Sequence, residues 1–205
     1  MTRRLVLASA SPARLATLRR AGLDPEVIVS HVDESVVTGE SPVALAEELA
    51  ALKASAVAQQ VDGDALVVGC DSVLELDGAI HGKPADAQEA ISRWRSMRGS
   101  SGVLHTGHCL VETDTGRRVL RSAATAVHFA AVSDAEIEAY VGTGEPLHVA
   151  GAFTLDGLGG AFVSGIEGDP HNVVGISLPL LRTMLAELGV TWTDLWTPPT
   201  LVRQP

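Results

Sequence analysis

The sequence predicts an α/β domain, a single twisted mixed β-sheet flanked by helices. Three observations carry that expectation. Ala65 to Cys70 is an unbroken apolar run, the mark of a central strand covered on both sides. Capping signals stand at Ser11-Pro12, at Asp86 to Glu89 and at Ser133 to Glu136, each ahead of apolar residues at helical spacing. Strands and helices then mix without strict alternation, which fits a mixed sheet better than a regular doubly wound one.

In chain order, Leu5-Val6-Leu7-Ala8 reads as a buried first strand. Ser11 and Pro12 supply the N-cap and first turn of a helix with Leu15 and Leu18 inward and Gly22 as its stop. Val27-Ile28-Val29 reads as a second strand. A helix from about Pro42 to Gln59 sets Leu45, Leu49, Leu52 and Ala56 on one face, with Lys53 beside it. The strand from Ala65 ends on Asp71, and Asp77-Gly78 is a turn. The helix after Asp86 carries Ile91, Trp94 and Met97. Strands at about 103–112 and 119–130 flank Asp114-Thr115-Gly116, a hairpin turn, and the helix after Ser133 carries Ile137 and Tyr140. Residues 142–175 hold nine glycines, broken only by Ala161-Phe162-Val163, so this stretch reads as loop. A last helix at about 178–188 stops at Gly189. The expected organisation is one domain over 1–205, with a core at about 4–189 and a surface tail at 190–205 containing Trp192, Trp196, Pro198 and Pro199.

Composition narrows the function. A chain of 205 residues with 46% hydrophobic content can bury one core, and at 3% aromatics that core is aliphatic. Twenty-five acids against 15 bases give a net charge of −10, which argues against a nucleic-acid groove or an anionic membrane as partner. An anionic ligand would need a local cationic cluster or a divalent cation. The two cysteines, Cys70 and Cys109, make no disulfide framework, zinc motif or redox motif, so a reducing compartment fits. The apolar run at Leu5 to Ala8 is too short for a signal peptide, and no stretch is long enough to span a bilayer. The expected location is cytoplasmic.

Of the 15 bases only Lys53 and Lys83 are lysines. An ammonium is a compact point charge where a guanidinium is a flat fork, so lysines retained in an arginine-rich chain are candidates for a tight polyphosphate or carboxylate–metal site. Ser9-Ala10-Ser11-Pro12-Ala13-Arg14 offers helix-start N–H groups, two hydroxyls and a guanidinium, a phosphate cradle. In His31-Val32-Asp33-Glu34 only one of two adjacent carboxylates can readily face inward, and a magnesium ligand is its natural role. Asp71 follows an apolar strand, where an unpaired carboxylate is costly, so it is the leading catalytic candidate, able to orient water or hold a metal. Each segment also has a plain structural reading, as capping, a solvated acidic loop or chance. Gly82-Lys83-Pro84 is not a P-loop: the spacing from Gly78 is short and Pro84 stands where Ser or Thr would meet magnesium. His105 and His108 would point to opposite strand faces and are read as structural.

Taken in order, LVLASASPARLATLRRAGL (5–23), VDES (32–35), ALKASAVA (51–58), VVGCDSVLELDGAIHGKP (67–84), TGEPLHVAGAF (143–153) and IEGDPHNVVGISL (166–178) resemble the Maf family of nucleoside triphosphate pyrophosphatases over nearly the whole chain. The resemblance implies a fold akin to inosine-triphosphate pyrophosphatases, usually dimeric, cleaving a nucleoside triphosphate to monophosphate and pyrophosphate with a divalent cation, Mg²⁺ or Mn²⁺. It implies removal of modified or non-canonical nucleotides, with a link to septum formation in some members. Carried over by position, Asp71 is the proton acceptor and Glu34, Lys53 and Lys83 complete the polar centre. With the residue-level reading added, Asp71 and Glu34 are expected to hold the metal, and Ser9, Ser11 and Arg14 to bind substrate. Ala13, Ser72 and Asp156 depart from the arginine, threonine and glutamine of members preferring thymidine or uridine triphosphates. Residues 146–151 look nearer to the branch associated with 7-methylguanosine triphosphate. The sequence is also compatible with a different class: a nucleotide-binding regulator of division in which hydrolysis is incidental. A nucleotide kinase or P-loop ATPase is remote, because the Walker spacing is absent.

Overall fold

The computed structural model describes residues 3–197; Pro198 and Pro199 of the expected tail lie outside the described residues. The first strand, β1 (Arg4–Leu7), is followed by helix α1 (Pro12–Arg20), which Ser11 caps by accepting from the Arg14 N–H. The expected second strand is shorter and earlier, β2 (Glu26–Val27), an exposed edge pairing only with β1. Helix α2 (Pro42–Ala58) comes next, capped by Ser41.

The central strand β3 (Ala65–Leu76) is twelve residues long, so Asp71 lies within it and not at its end. Its apolar residues continue as Val73, Leu74 and Leu76, and strand β5 (Ser101–Glu112) pairs with it from Leu66 to Glu75, so the backbone ladder carries through the acid. A turn at Asp77-Gly78 leads to β4 (Ala79–His81), which the sequence did not indicate. Helix α3 (Ala87–Met97) starts at Asp86; Glu89 accepts from Ala85 N–H and pairs with Arg93 instead of closing a capping box. Strand β6 (Arg118–Phe129) returns from β5, and helix α4 (Asp134–Gly142) opens with a complete Ser133–Glu136 capping box. Within the glycine-rich stretch lie short 3-10 turns, strand β7 (Val163–Glu167) and helix α5 (Pro170–Val174); α6 (Leu178–Glu187) is last.

The seven strands form one mixed sheet in the order β2-β1-β3-β5-β6-β7, with β4 beside the far end of β3. On one face Leu7, Leu18, Leu66, Val68, Leu110 and Leu181 pack with α1 and α6. That cluster also takes in Val190 and Leu195, so the buried core runs past residue 189. Trp94, at the centre of the aromatic residues, meets Phe129, Tyr140 and Phe162 edge to face under α3 and α4.

The other face is covered by α2, rotated from the expected setting: Ala46, Leu49, Ala50, Lys53, Ala54 and Val57 point inward, while Leu45, Leu52 and Ala56 are only half-buried. The reason is close approach. A Cβ on Gly69 would lie 2.5 Å from the Ala50 carbonyl oxygen, and one on Gly107 would lie 2.2 Å from that of Ala46. The helix thus presses its alanine seam onto two glycines, and leucines at that seam would hold it off.

Candidate active site

Asp71 and Ser72 lie at a notch in the sheet. β1 accompanies β3 only until Leu7 meets Val68, and β4 joins only where His81 meets Leu74. Between those points no strand among the described residues pairs with that edge of β3, whereas β5 pairs with its other edge throughout. The chain leaving β1 as Ser9–Arg14 and the chain leaving β4 as Gly82–Pro84 therefore border the notch from its two ends. Strand ends at a change of topology are where α/β proteins gather ligand-binding groups.

Successive strand residues face opposite sides, so Asp71 and Ser72 enter different polar clusters. On the α2 face, Lys53 Nζ lies 2.5 Å from Asp71 Oδ1 and 2.8 Å from Glu34 Oε1. Lys53 is 8% exposed, so its ammonium has left water and is compensated by two carboxylates. Asp33, beside Glu34, turns away: it caps the 3-10 turn Glu34–Val36 by accepting from Ser35 Oγ and N–H, hydrogen bonds that lower its pKa. Capping selects which of the adjacent acids faces inward.

On the opposite face, Arg14 Nη1 donates to Ser9 Oγ at 3.1 Å, Nη2 to Ser72 Oγ at 3.3 Å and Nε to the Gly175 carbonyl at 2.8 Å. Ser9 also accepts from Ser11 N–H. Ser9, Ser11, Arg14 and Ser72 are thus one network, and Ala13 sits half-buried in the same helical turn.

The remaining candidates are placed less directly. Lys83 is exposed and makes no ion pair or hydrogen bond among the described residues; it lies two positions past His81, where the β3–β4 pairing ends, and the structure does not bring it into contact with Asp71. Asp156 is exposed in the loop after Thr154 and has no partner among the described residues. The two loops are joined where Gly151 N–H and Arg93 Nη1 both donate to the Gly82 carbonyl, at 3.1 and 2.6 Å. Behind Asp156, Glu145 accepts from Tyr140 Oη, Thr154 Oγ1 and the N–H groups of Leu158 and Gly159 at 2.5–3.0 Å. Burial alone would raise the Glu145 pKa, but Thr154 and the two backbone N–H groups hold it below the usual carboxylate range.

Several residues about this site escape sequence reasoning. Thr106 and Asn172 are fully buried polar residues linked to Ser72, and Gly175 receives Arg14. Their one sequence signal is the polar GDPHN stretch ahead of Gly175, since hydroxyls in strands are common. His105 and His108 do lie on opposite faces: His105 pairs with Glu75, and His108 accepts from Ser177 N–H through Nε2. Cys70 and Cys109 are free, buried in the clusters on opposite faces, and burial pushes their thiols up to about 12 and about 11, so both are inert.

As a metal site, the donor set is small. Asp71 and Glu34 converge on the Lys53 ammonium, each through one carboxylate oxygen, and no group of three or more His, Cys, Asp or Glu side chains joins among the described residues. Two carboxylates completed by phosphate oxygens and water suit Mg²⁺ or Mn²⁺ bound together with a nucleotide, and do not suit a cation held by protein alone. No helix among the described residues is long and apolar enough to cross a membrane.

A profile of the family described as Maf-like protein matches residues 4–188. A nucleoside triphosphate pyrophosphatase from Salinispora tropica is 63% identical over 197 residues, covering 94% of this chain and 87% of its own. One from Streptomyces coelicolor is 61% identical, covering 96% of each, and one from Gloeothece citriformis is 52% identical, covering 96% of this chain and all of its own. Among solved structures, a dITP/XTP pyrophosphatase from Mycobacterium abscessus aligns with a TM-score of 0.41 and 18% identity, over 63% of this chain and 75% of its own, a likeness too distant to weigh.

Proposed function

From the premise that this chain belongs to the Maf-like protein family, we propose that it hydrolyses a nucleoside triphosphate to the monophosphate and pyrophosphate at the notch beside Asp71. It is a nucleoside triphosphate pyrophosphatase by reaction class. The observation that supports this site most is the meeting of Asp71, Glu34 and Lys53 at an interrupted sheet edge. A regulator of division with incidental hydrolysis is not favoured, since the relatives above carry an enzyme's name.

In this reading water attacks the α-phosphorus, oriented and deprotonated by the Asp71 carboxylate. Lys53 balances the charge of that carboxylate and aims it. Arg14, with the Ser9 and Ser11 hydroxyls, grips phosphate oxygens across the notch, and Lys83 swings its exposed ammonium onto the departing pyrophosphate. Phosphoryl chemistry relies on such positioning and charge compensation. Asp71 and Glu34 would hold a divalent cation, Mg²⁺ or Mn²⁺, which when bound supplies neutralisation of phosphate charge. Asp156 and Ala13 are the positions where base preference would be set, for a modified or non-canonical nucleotide, with Ser72 acting only through its hold on Arg14. A homodimer and a cytoplasmic location belong to the same proposal, and nucleic acid and membrane do not.

The test is a panel of normal and modified triphosphates with magnesium or manganese, scored for products. One pyrophosphate per monophosphate is expected. Orthophosphate release, or no turnover of any triphosphate, would remove the reaction.

A further inference from the structure

We propose that Ser72 is a positioning residue that holds Arg14 and gives no hydrogen bond to substrate, because Thr106 and the Asn172 carbonyl claim its only proton. The inference rests on the reading of Arg14 as a phosphate-binding group.

A hydroxyl donates once and accepts through its lone pairs, a guanidinium only donates, and a carbonyl only accepts. Thr106 Oγ1 lies 3.1 Å from the Asn172 carbonyl oxygen, so the Thr106 proton goes there. The 2.9 Å contact between Ser72 Oγ and Thr106 Oγ1 must then use the Ser72 proton. Ser72 Oγ is left as an acceptor, and Arg14 Nη2 donates to it at 3.3 Å. The line runs one way, from Arg14 through Ser72 and Thr106 to Asn172. A phosphate oxygen accepts only, so Ser72 has nothing to offer it.

The far end of the line is fixed. Thr106 and Asn172 are fully buried, so water does not compete for these bonds. Asn172 Nδ2 donates its two protons to the Leu104 carbonyl and Thr125 Oγ1, each at 3.1 Å, and Thr125 Oγ1 donates onward to the Asp169 carbonyl at 3.0 Å. At the near end, Arg14 spends Nε on Gly175, one Nη1 proton on Ser9 and one Nη2 proton on Ser72. One N–H on each terminal nitrogen remains for a ligand. Ser9 and Ser11 differ from Ser72: Ser9 Oγ accepts from Ser11 N–H and Arg14, Ser11 Oγ accepts from Arg14 N–H, and each keeps its own proton for an outside acceptor.

The experiment is a mutant cycle on the full chain, read as kcat/KM for pyrophosphate release. Thr106→Val removes the hydroxyl and keeps the shape. It should lower kcat/KM about fivefold, the worth of one hydrogen bond, chiefly through KM. Thr106→Ser should restore it. In a chain already carrying Arg14→Ala, Thr106→Val should cost nothing further. Equal losses in both backgrounds, or no loss in either, overturn the proposal. If Thr106→Val does not fold, Ser72→Ala takes its place in the same cycle with the same outcomes. If the unaltered chain releases no pyrophosphate, the reaction itself has failed; the cycle is then read by calorimetric binding of inorganic tripolyphosphate, with coupling between positions 106 and 14 again deciding.

Discussion

Lys53 Nζ stands 2.5 Å from Asp71 Oδ1 on a helix face that is otherwise alanine, leucine and valine. The ammonium is nearly out of water, and the Asp71 side chain is only 13% exposed, so each charge depends on the other. Removing one member of a buried pair costs more than the pair contributes, because the survivor keeps its desolvation penalty. Lys53→Met should therefore destabilise the fold by about 1–3 kcal/mol, reduced from the fully buried case by the remaining exposure and by Glu34. Denaturant titration measures that loss. Lys53→Arg keeps the charge but puts a broad fork between two carboxylates, and a displacement of about 1 Å should lower kcat on the order of 10²-fold.

Asp71→Asn preserves shape and removes the base. A loss of about 10²-fold or more in kcat is expected. Glu34→Gln should cost less, because the Glu34 side chain is half-exposed and touches Asp71 only through Lys53. Near-normal turnover by Asp71→Asn would move the base to Glu34.

Lys83→Arg separates the two lysines. Lys83 has no carboxylate partner among the described residues, so arginine there should leave stability within about ±0.5 kcal/mol, as for exposed substitutions generally. Its cost should fall on turnover alone. Full activity with unchanged stability would make the scarcity of lysine at this position accidental.

What the sequence made legible follows from cost. A carboxylate after six apolar residues and two lysines among fifteen bases are expensive choices, and the structure brings Asp71, Lys53 and Glu34 together. Choices that cost nothing visible were not readable. Glu34 over Asp33 came only from the family resemblance, because from the residues alone it depends on a capping bond to Ser35. The true face of α2 is marked by alanine, which a leucine-weighted periodicity passes over. β2 shrinks to two residues because it lies on an exposed edge. α5 is a five-residue helix among glycines, too short to show a period, yet it carries Asn172 and ends on the carbonyl that holds Arg14.

His108 gives the fold a pH dependence with a definite sign. Burial pushes its pKa down from 6.5 to about 4, and the neutral ring accepts from Ser177 N–H at the start of α6. Between those two values the unfolded chain binds the proton and the folded chain does not, so stability falls as pH drops from 6.5 towards 4 and is unaffected above 6.5. The full loss is roughly 3 kcal/mol. Unfolding free energies from urea titrations across that range should show the slope, and His108→Gln should flatten it.

Gly107→Ala tests how the fold builds the site. Its added Cβ would sit 2.2 Å from the Ala46 carbonyl oxygen, 2.3 Å from the carbonyl carbon and 2.6 Å from Glu47 N, all backbone atoms that cannot swing aside. Helix α2 must then lift from β5, and overpacking of this kind costs about 1–3 kcal/mol or more. Gly107 is directly opposite Asp71 in the β3–β5 ladder, and Lys53 lies on the same helix face as Ala46. Lifting the helix would therefore draw the ammonium away from Asp71, and kcat should fall on the order of 10-fold or more even below the unfolding temperature, since small misplacements are expensive at a reacting centre. Gly116→Ala, at a position where an added Cβ meets nothing within 4 Å, is the control: it strains a positive-φ turn and should lower stability while leaving kcat alone. If Gly107→Ala lowered only stability, with kcat per folded molecule unchanged, the close seating of α2 would serve packing and not the alignment of Lys53 with Asp71.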